Sequence, residues 1–100
     1  MVKVTVLYGH PEDPTAFEEH YMERHLPLVE NIPDLERFEA ARVVATPDGG
    51  EPPYYRIVEL YFESLERMQE SLGSEGGEAT VEDIPNFATG GATVFISELD

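Results

Sequence analysis

The chain has no cysteine, no tryptophan and, among its 100 residues, a single lysine, Lys3. Without cysteine there are no disulfides, no thiolate metal ligands and no cysteine nucleophile. One lysine, on a predicted strand, leaves Schiff-base chemistry a single candidate. Positive charge is scarce overall: 6 Lys and Arg stand against 21 Asp and Glu, a formal net charge of −15. Nucleic acid and anionic membranes are bound through clustered Lys and Arg, so this balance argues against both. No apolar run approaches the ~20 residues that span a bilayer. The opening MVKVTVLYG has one Lys and no small-residue cleavage site, so it reads as a strand rather than a signal peptide. The expected location is cytoplasmic. The pairs Gly49-Gly50, Gly76-Gly77 and Gly90-Gly91 lack the spacing, lysine and strand-to-helix setting of a phosphate loop. There is no nucleophile elbow for Ser-His-Asp chemistry. No nucleotide, flavin or haem motif is present, so no cofactor is expected.

What is there is a globular composition, 41% hydrophobic, of a size that buries one core. A single domain over residues 1–100 is expected. The acidity has two readings: a solvated surface suited to a salty or hot habitat, or a docking surface for a basic partner.

Lys3 to Tyr8 alternates β-branched and aromatic residues and stops at Gly9, which predicts a strand. Helix one starts at Asp13, a good N-cap, with Pro14 at the first helical position. At 100° per residue Phe17, Tyr21 and Leu28 form one stripe, with His25 at its edge. Pro27 predicts a kink or stop near His25, and Ile32-Pro33-Asp34 lies beyond the helix. Leu35 to Val44 and Tyr54 to Phe62 are the next strands. The loop Thr46 to Pro53, with three prolines and two glycines, joins them. Ser64 caps a second helix that Gly73 stops. Ser74 begins a short, poor helix to about Val81, weakened by Gly76 and Gly77. Asp83 to Gly91 reads as irregular, and Ala92 to Glu98 as the last strand. The order β-α-β-β-α-β predicts an α+β, ferredoxin-like fold: a four-stranded antiparallel sheet with helices on one face. The strands carry apolar residues in both registers. The face without helices therefore calls for a partner, most simply a second copy in a homodimer, sheet against sheet.

His25 is the leading candidate for chemistry. An imidazole titrates near neutral pH and can donate or accept a proton. One turn after Tyr21, it can share a pocket with the phenol. The alternative is a histidine that caps helix-terminal carbonyls near Pro27. His20 and His25 are five residues apart, about 140° around an α-helix. That spacing keeps them off a common ligand face, and no metal is expected. His10, in the first loop, reads as a surface histidine that can reach a pocket mouth. Tyr8, Tyr54, Tyr55, Tyr61, Phe87 and Phe95 line either a pocket or simply core and interface. Arg42 and Arg56 face one another across the sheet and bind either an anion or neighbouring Glu.

Two stretches resemble the EthD family. The first combines V-T-V-L-Y-G-x-P-x-D-P-x-x-F with H-Y-x-x-x-H-x-P-L and a later I-P. The second is D-I-P-N-F-A-T-G-G-A. The most specific spacing is Tyr8-Gly9-Pro11-Asp13-Pro14-Phe17-Tyr21-His25-Pro27. The resemblance implies a dimeric α+β barrel, in which two ferredoxin-like sheets close on each other. It implies an oxidoreductase-like role in catabolism, or the isomerase or cyclase chemistry of similar barrels. In those a histidine and a tyrosine handle protons on a small hydrophobic, aromatic or lactone-like molecule. Carried over, the catalytic pair falls on His25 and Tyr21. Tyr8, Phe17 and Phe87 are the expected ligand-binding residues. The other expectation is a non-catalytic accessory protein that binds a hydrophobic metabolite and supports an oxygenase system, docking a basic redox partner.

Overall fold

Val2–Tyr8 forms β1, which is central because both its edges are paired. In the computed structural model, which describes residues 1–100, β1 runs antiparallel to β3 (Arg56–Phe62) and to β4 (Ala92–Glu98). β2 (Arg37–Arg42) borders β3, so the strand order is β2-β3-β1-β4. The helical segments are α1 (Pro14–His20), a π-helical turn (Tyr21–His25), α2 (Leu26–Val29), α3 (Leu65–Leu72) and α4 (Glu75–Phe87). Alternation places Val2, Val4, Val6 and Tyr8 with Val58, Leu60 and Phe62 on one face. There Phe17, Tyr21, Val29, Met68 and Phe87 complete the core. This is the ferredoxin-like α+β arrangement expected from the pattern, with β2 and β3 trimmed relative to the expected ranges.

The helix caps form as the residues dictate. The Asp13 carboxylate accepts from the Ala16 N–H, Ser64 Oγ from Arg67 N–H and Ser74 Oγ from Gly77 N–H. The first helix departs from expectation at its middle. It does not end at His25; the break expected there takes the form of a π turn over Tyr21–His25. The Leu26 N–H donates to the Tyr21 carbonyl, five residues back, and the helix continues through Pro27 to Val29. Such a π turn inserts one extra residue into a helix, commonly at functional sites. The insertion changes which side chains face inward. In an unbroken α-helix, residues four apart drift by about 40° per step. Here Phe17, Tyr21, His25 and Val29 are all buried in line. The stripe expected through Leu28 is thus corrected: Leu28 is only half-buried and Val29 takes its place.

A second correction concerns α4. The short helix expected to stop near Val81 runs on to Phe87, with Pro85 inside it. The segment read as irregular from Asp83 is therefore mostly helical. Packing overrides propensity here. The two glycines allow contacts that a side chain would block. A Cβ at Gly76 would lie 2.2 Å from the Asn31 carbonyl oxygen, and one at Gly77 2.3 Å from that of Ser71. That approach seats Thr80, Asp83 and Phe87 in the interior.

The sheet face away from the helices is less apolar than its alternation suggested. Lys3 pairs with Glu59, Arg37 with Glu39, and the Tyr61 hydroxyl donates to Glu39. Large exposed apolar side chains concentrate on edge strand β4: Val94 (51% exposed) and Ile96 (54%) on one side, Phe95 (57%) on the other. No helix is long and apolar enough to cross a membrane.

Candidate functional site

The π turn sets the geometry of the site. It sets His25 inward, where the residue is buried (4% exposed), and leaves His20 at the rim. From α4, Asp83 meets both. Its carboxylate lies 2.9 Å from His25 Nδ1 and 2.9 and 3.0 Å from His20 Nε2. Asn86 Nδ2 donates a further hydrogen bond at 3.0 Å. The α-helical phase that set His20 and His25 apart does not hold here: across the π turn both side chains reach the same Asp83 carboxylate, from different spaces.

The protons follow from the network. Burial pushes the Asp83 carboxyl up, but hydrogen bonds from Asn86, His20 and His25 outweigh this and hold it below the usual range. An ionised carboxylate only accepts, so His25 carries its proton on Nδ1 and His20 on Nε2. His25 Nε2 is then the ring's free lone pair. Burial pushes His25 below its ordinary value, against the opposing pull of Asp83. At neutral pH it is an uncharged base. Phe87 backs the imidazole, with ring centroids 4.7 Å apart, and Tyr21 stacks on it at 5.7 Å.

His25, Tyr21 and Tyr8 line an apolar cavity of about 130 Å³ between the first helix, α4 and the sheet, whose other walls include Val4, Val58 and Ile84. Tyr21 is 1% exposed, and its hydroxyl has no hydrogen-bond partner. Burial pushes its phenol up to about 12, with Arg56 opposing. It is a protonated donor at neutral pH. Arg56 lies 4.6 Å over the Tyr21 ring and is held by Glu18 at 2.5 Å. Burial likewise raises the Tyr8 phenol.

The expected residues divide accordingly. His25, Tyr21 and Tyr8 come together at the cavity. Phe17 and Phe87 do not line it; they are core residues that border a separate surface groove with His20. His10 is exposed and bonds the Pro52 carbonyl, away from the cavity. Tyr55 packs on Phe17, and Tyr54 and Tyr61 do not reach the cavity. Arg42 and Arg56 do pair in register across β2 and β3. His20 entered the sequence reading only as a rejected metal partner of His25; Asp83 and Asn86 escaped it. Their trace was the spacing of Asp83, Asn86 and Phe87 at i, i+3 and i+4, one helical face inside a segment read as loop.

A family model described as the EthD domain matches residues 9–91. A Rhodococcus erythropolis protein, described as an uncharacterized 11.0 kDa protein in the thcB-thcC intergenic region, is 41% identical. That match covers 98% of this chain and 94% of the relative. The crystal structure of an EthD (ethyl tert-butyl ether d) family protein from Bacillus halodurans superposes with a TM-score of 0.93 at 37% identity. It covers 100% of this chain and 99% of that one. A remoter likeness, of fold alone, is to SnoaB from Streptomyces nogalater, a cofactor-independent oxygenase, at 12% identity and a TM-score of 0.66. It covers 98% of this chain and 90% of that one.

Proposed function

The chain belongs to the EthD domain family, and from that premise we propose that it deprotonates a small, largely apolar molecule bound between helix and sheet. The observation that carries this reading is the His25–Asp83 pair. It fixes the imidazole proton on Nδ1 and leaves Nε2 as the free, neutral base of a side chain that lines an almost wholly apolar cavity. A cavity of this size suits a single ring, since an apolar cavity of ~150 Å³ holds benzene. The substrate class is a phenol or an enolisable carbonyl compound, aromatic or lactone-like. Nε2 takes the O–H or C–H proton, and the electron pair of the broken bond stays on the substrate as a phenolate or enolate. The Tyr21 phenol donates to the developing oxyanion. Such an anion is the common first intermediate for an oxygenase that works without a cofactor, as SnoaB is described, and for an isomerase or cyclase.

Thermal-shift screening of substituted phenols and β-dicarbonyl compounds finds the ligand. Deuterium uptake from heavy water at its acidic position then reads the chemistry. The wild-type protein is expected to accelerate uptake above the buffer rate. Ligands that bind without accelerated uptake would leave the second reading, an accessory binding protein. The apolar lining favours that reading, and the net charge of −15 would serve a basic redox partner.

We also propose a homodimer closed through the sheet. The exposed Val94, Phe95 and Ile96 on an unpaired edge strand support it. Light scattering at micromolar concentration should give twice the chain mass, and a monomer mass would remove the proposal.

A further inference from the structure

One carboxylate serves two imidazoles that face different spaces. His25 lines the apolar cavity and His20 does not; His20 lines a surface groove, with Glu12, Asp13 and Asn86, and His25 does not. Asp83 bridges them: Oδ2 lies 2.9 Å from His25 Nδ1, and His20 Nε2 lies 2.9 Å from Oδ1 and 3.0 Å from the shared Oδ2. The side chain of His20 is 27% exposed, against 5% for that of His25. His20 thus meets solvent protons directly, while His25 is reached only through the cavity or through its bond to Asp83.

We propose that His20 is a positioning residue for His25, acting through Asp83. The protonation state of His20 in the groove sets how much of the carboxylate charge is left to support His25 in the cavity. With His20 neutral, Asp83 keeps its full charge. It anchors the Nδ1 proton and stabilises the imidazolium that forms when Nε2 accepts a proton. With His20 protonated, the same carboxylate is neutralised from the groove side. A second positive charge on His25 is then disfavoured, and Nε2 is a weaker base. Two interacting sites on one counter-ion titrate as a pair rather than singly. The other ionisable groups around them do not replace this link. Tyr21 and Tyr8 are phenols with raised pKa values, Arg56 is committed to Glu18 and the Tyr21 ring, and Glu12 and Asp13 border only the groove. The consequence is a groove-facing pH response of a buried base. Its importance for turnover rests on the proton-transfer reading above, but the coupling itself does not.

NMR titration of the His25 Cε1–H between pH 4.5 and 8.5 tests it on the ligand-free protein. His20→Gln keeps a donor for Asp83 without ionising, and His20→Phe keeps the stacking on Phe87, at 5.2 Å in the native ring pair. In the wild type, His25 should show a second inflection that coincides with the midpoint of His20 itself. In both variants that inflection should vanish and the His25 midpoint should move upward. A role for His20 that is structural only would alter the backbone spectrum yet leave no titration linkage. Superimposable His25 curves in wild type and both variants would overturn the proposal. Because no substrate is present, the result stands apart from whether any phenol or carbonyl compound is turned over.

Discussion

Replacing His25 by alanine should lower turnover of the screened substrate by ~10²–10⁴-fold, the usual contribution of a positioned acid or base. The loss should fall on kcat, with KM changed little. Nε2 contributes to proton transfer in the transition state, whereas most of the ligand's contact is with the apolar walls. Added imidazole should restore part of the rate, because the substitution leaves a ring-sized space against Phe87 and Tyr21. The pH profile supplies an independent sign. Burial holds His25 below its ordinary 6.5, so the basic form dominates throughout neutral pH. The wild-type rate should be flat at and above pH 7 and decline only on the acid side of 6.5. Tyr21→Phe keeps the ring that stacks on His25 and removes only the unpartnered hydroxyl. It should lower kcat by a smaller factor than His25→Ala. Turnover unaffected by His25→Ala would leave the protein a binder whose histidine is part of the wall.

Much of the candidate site was legible in the sequence, and what was not has two causes, a change of helical period and a helix held by distant contacts. Alternation in Lys3–Tyr8 and in Tyr54–Phe62 marked two strands because a strand has a fixed period of two. Asp13, Pro14 and Ser64 marked helix starts because caps are satisfied locally. That His25, Tyr21 and Tyr8 could meet at one cavity was legible because a titratable group on an apolar face stands out. The helical period failed at one place, the π turn. One inserted residue moved the inward stripe from Leu28 to Val29 and brought His20 round beside His25. No propensity scale announces that insertion, although Pro27 just after it marks where the α-helical ladder is interrupted. Asp83 was missed for a related reason. Gly76, Gly77 and Pro85 are poor helix residues, and the close packing of the two glycines on Asn31 and Ser71, with the burial of Phe87, holds α4 together. Local sequence cannot register a contact that spans 58 positions, as that between His25 and Asp83 does.

Asp83→Ala should be the most damaging polar substitution, by about 3 kcal/mol, because it strips the acceptor from three donors at once. His25 Nδ1–H is the worst placed of the three, since no water reaches it readily at 5% side-chain exposure. For a domain of this size the loss corresponds to a fall in Tm of roughly 12–24 °C. Asp83→Asn should be milder, as it retains one acceptor oxygen but turns an N–H₂ group toward a donor. The effect should also depend on pH, with a definite sign. The folded-state pKa of His25 lies below its unfolded 6.5, so the unfolded chain takes up the proton first and stability falls as pH drops through that value. Burial depresses His25, and the hydrogen bond and charge of Asp83 partly counter it. Removing Asp83 removes the counterweight, so His25 is depressed further and the acid-side loss steepens. Denaturant unfolding at pH 7.5 and 5.5 should therefore show a larger drop between the two for Asp83→Ala than for wild type. The contribution of Asp83 itself has the opposite location on the pH axis. Its folded pKa lies below the unfolded 3.8, so that stability is present above 3.8 and is lost only as pH falls through its lower folded value. A wild-type protein whose stability does not change between pH 7.5 and 5.5 would contradict the buried, neutral His25 from which the chemistry follows.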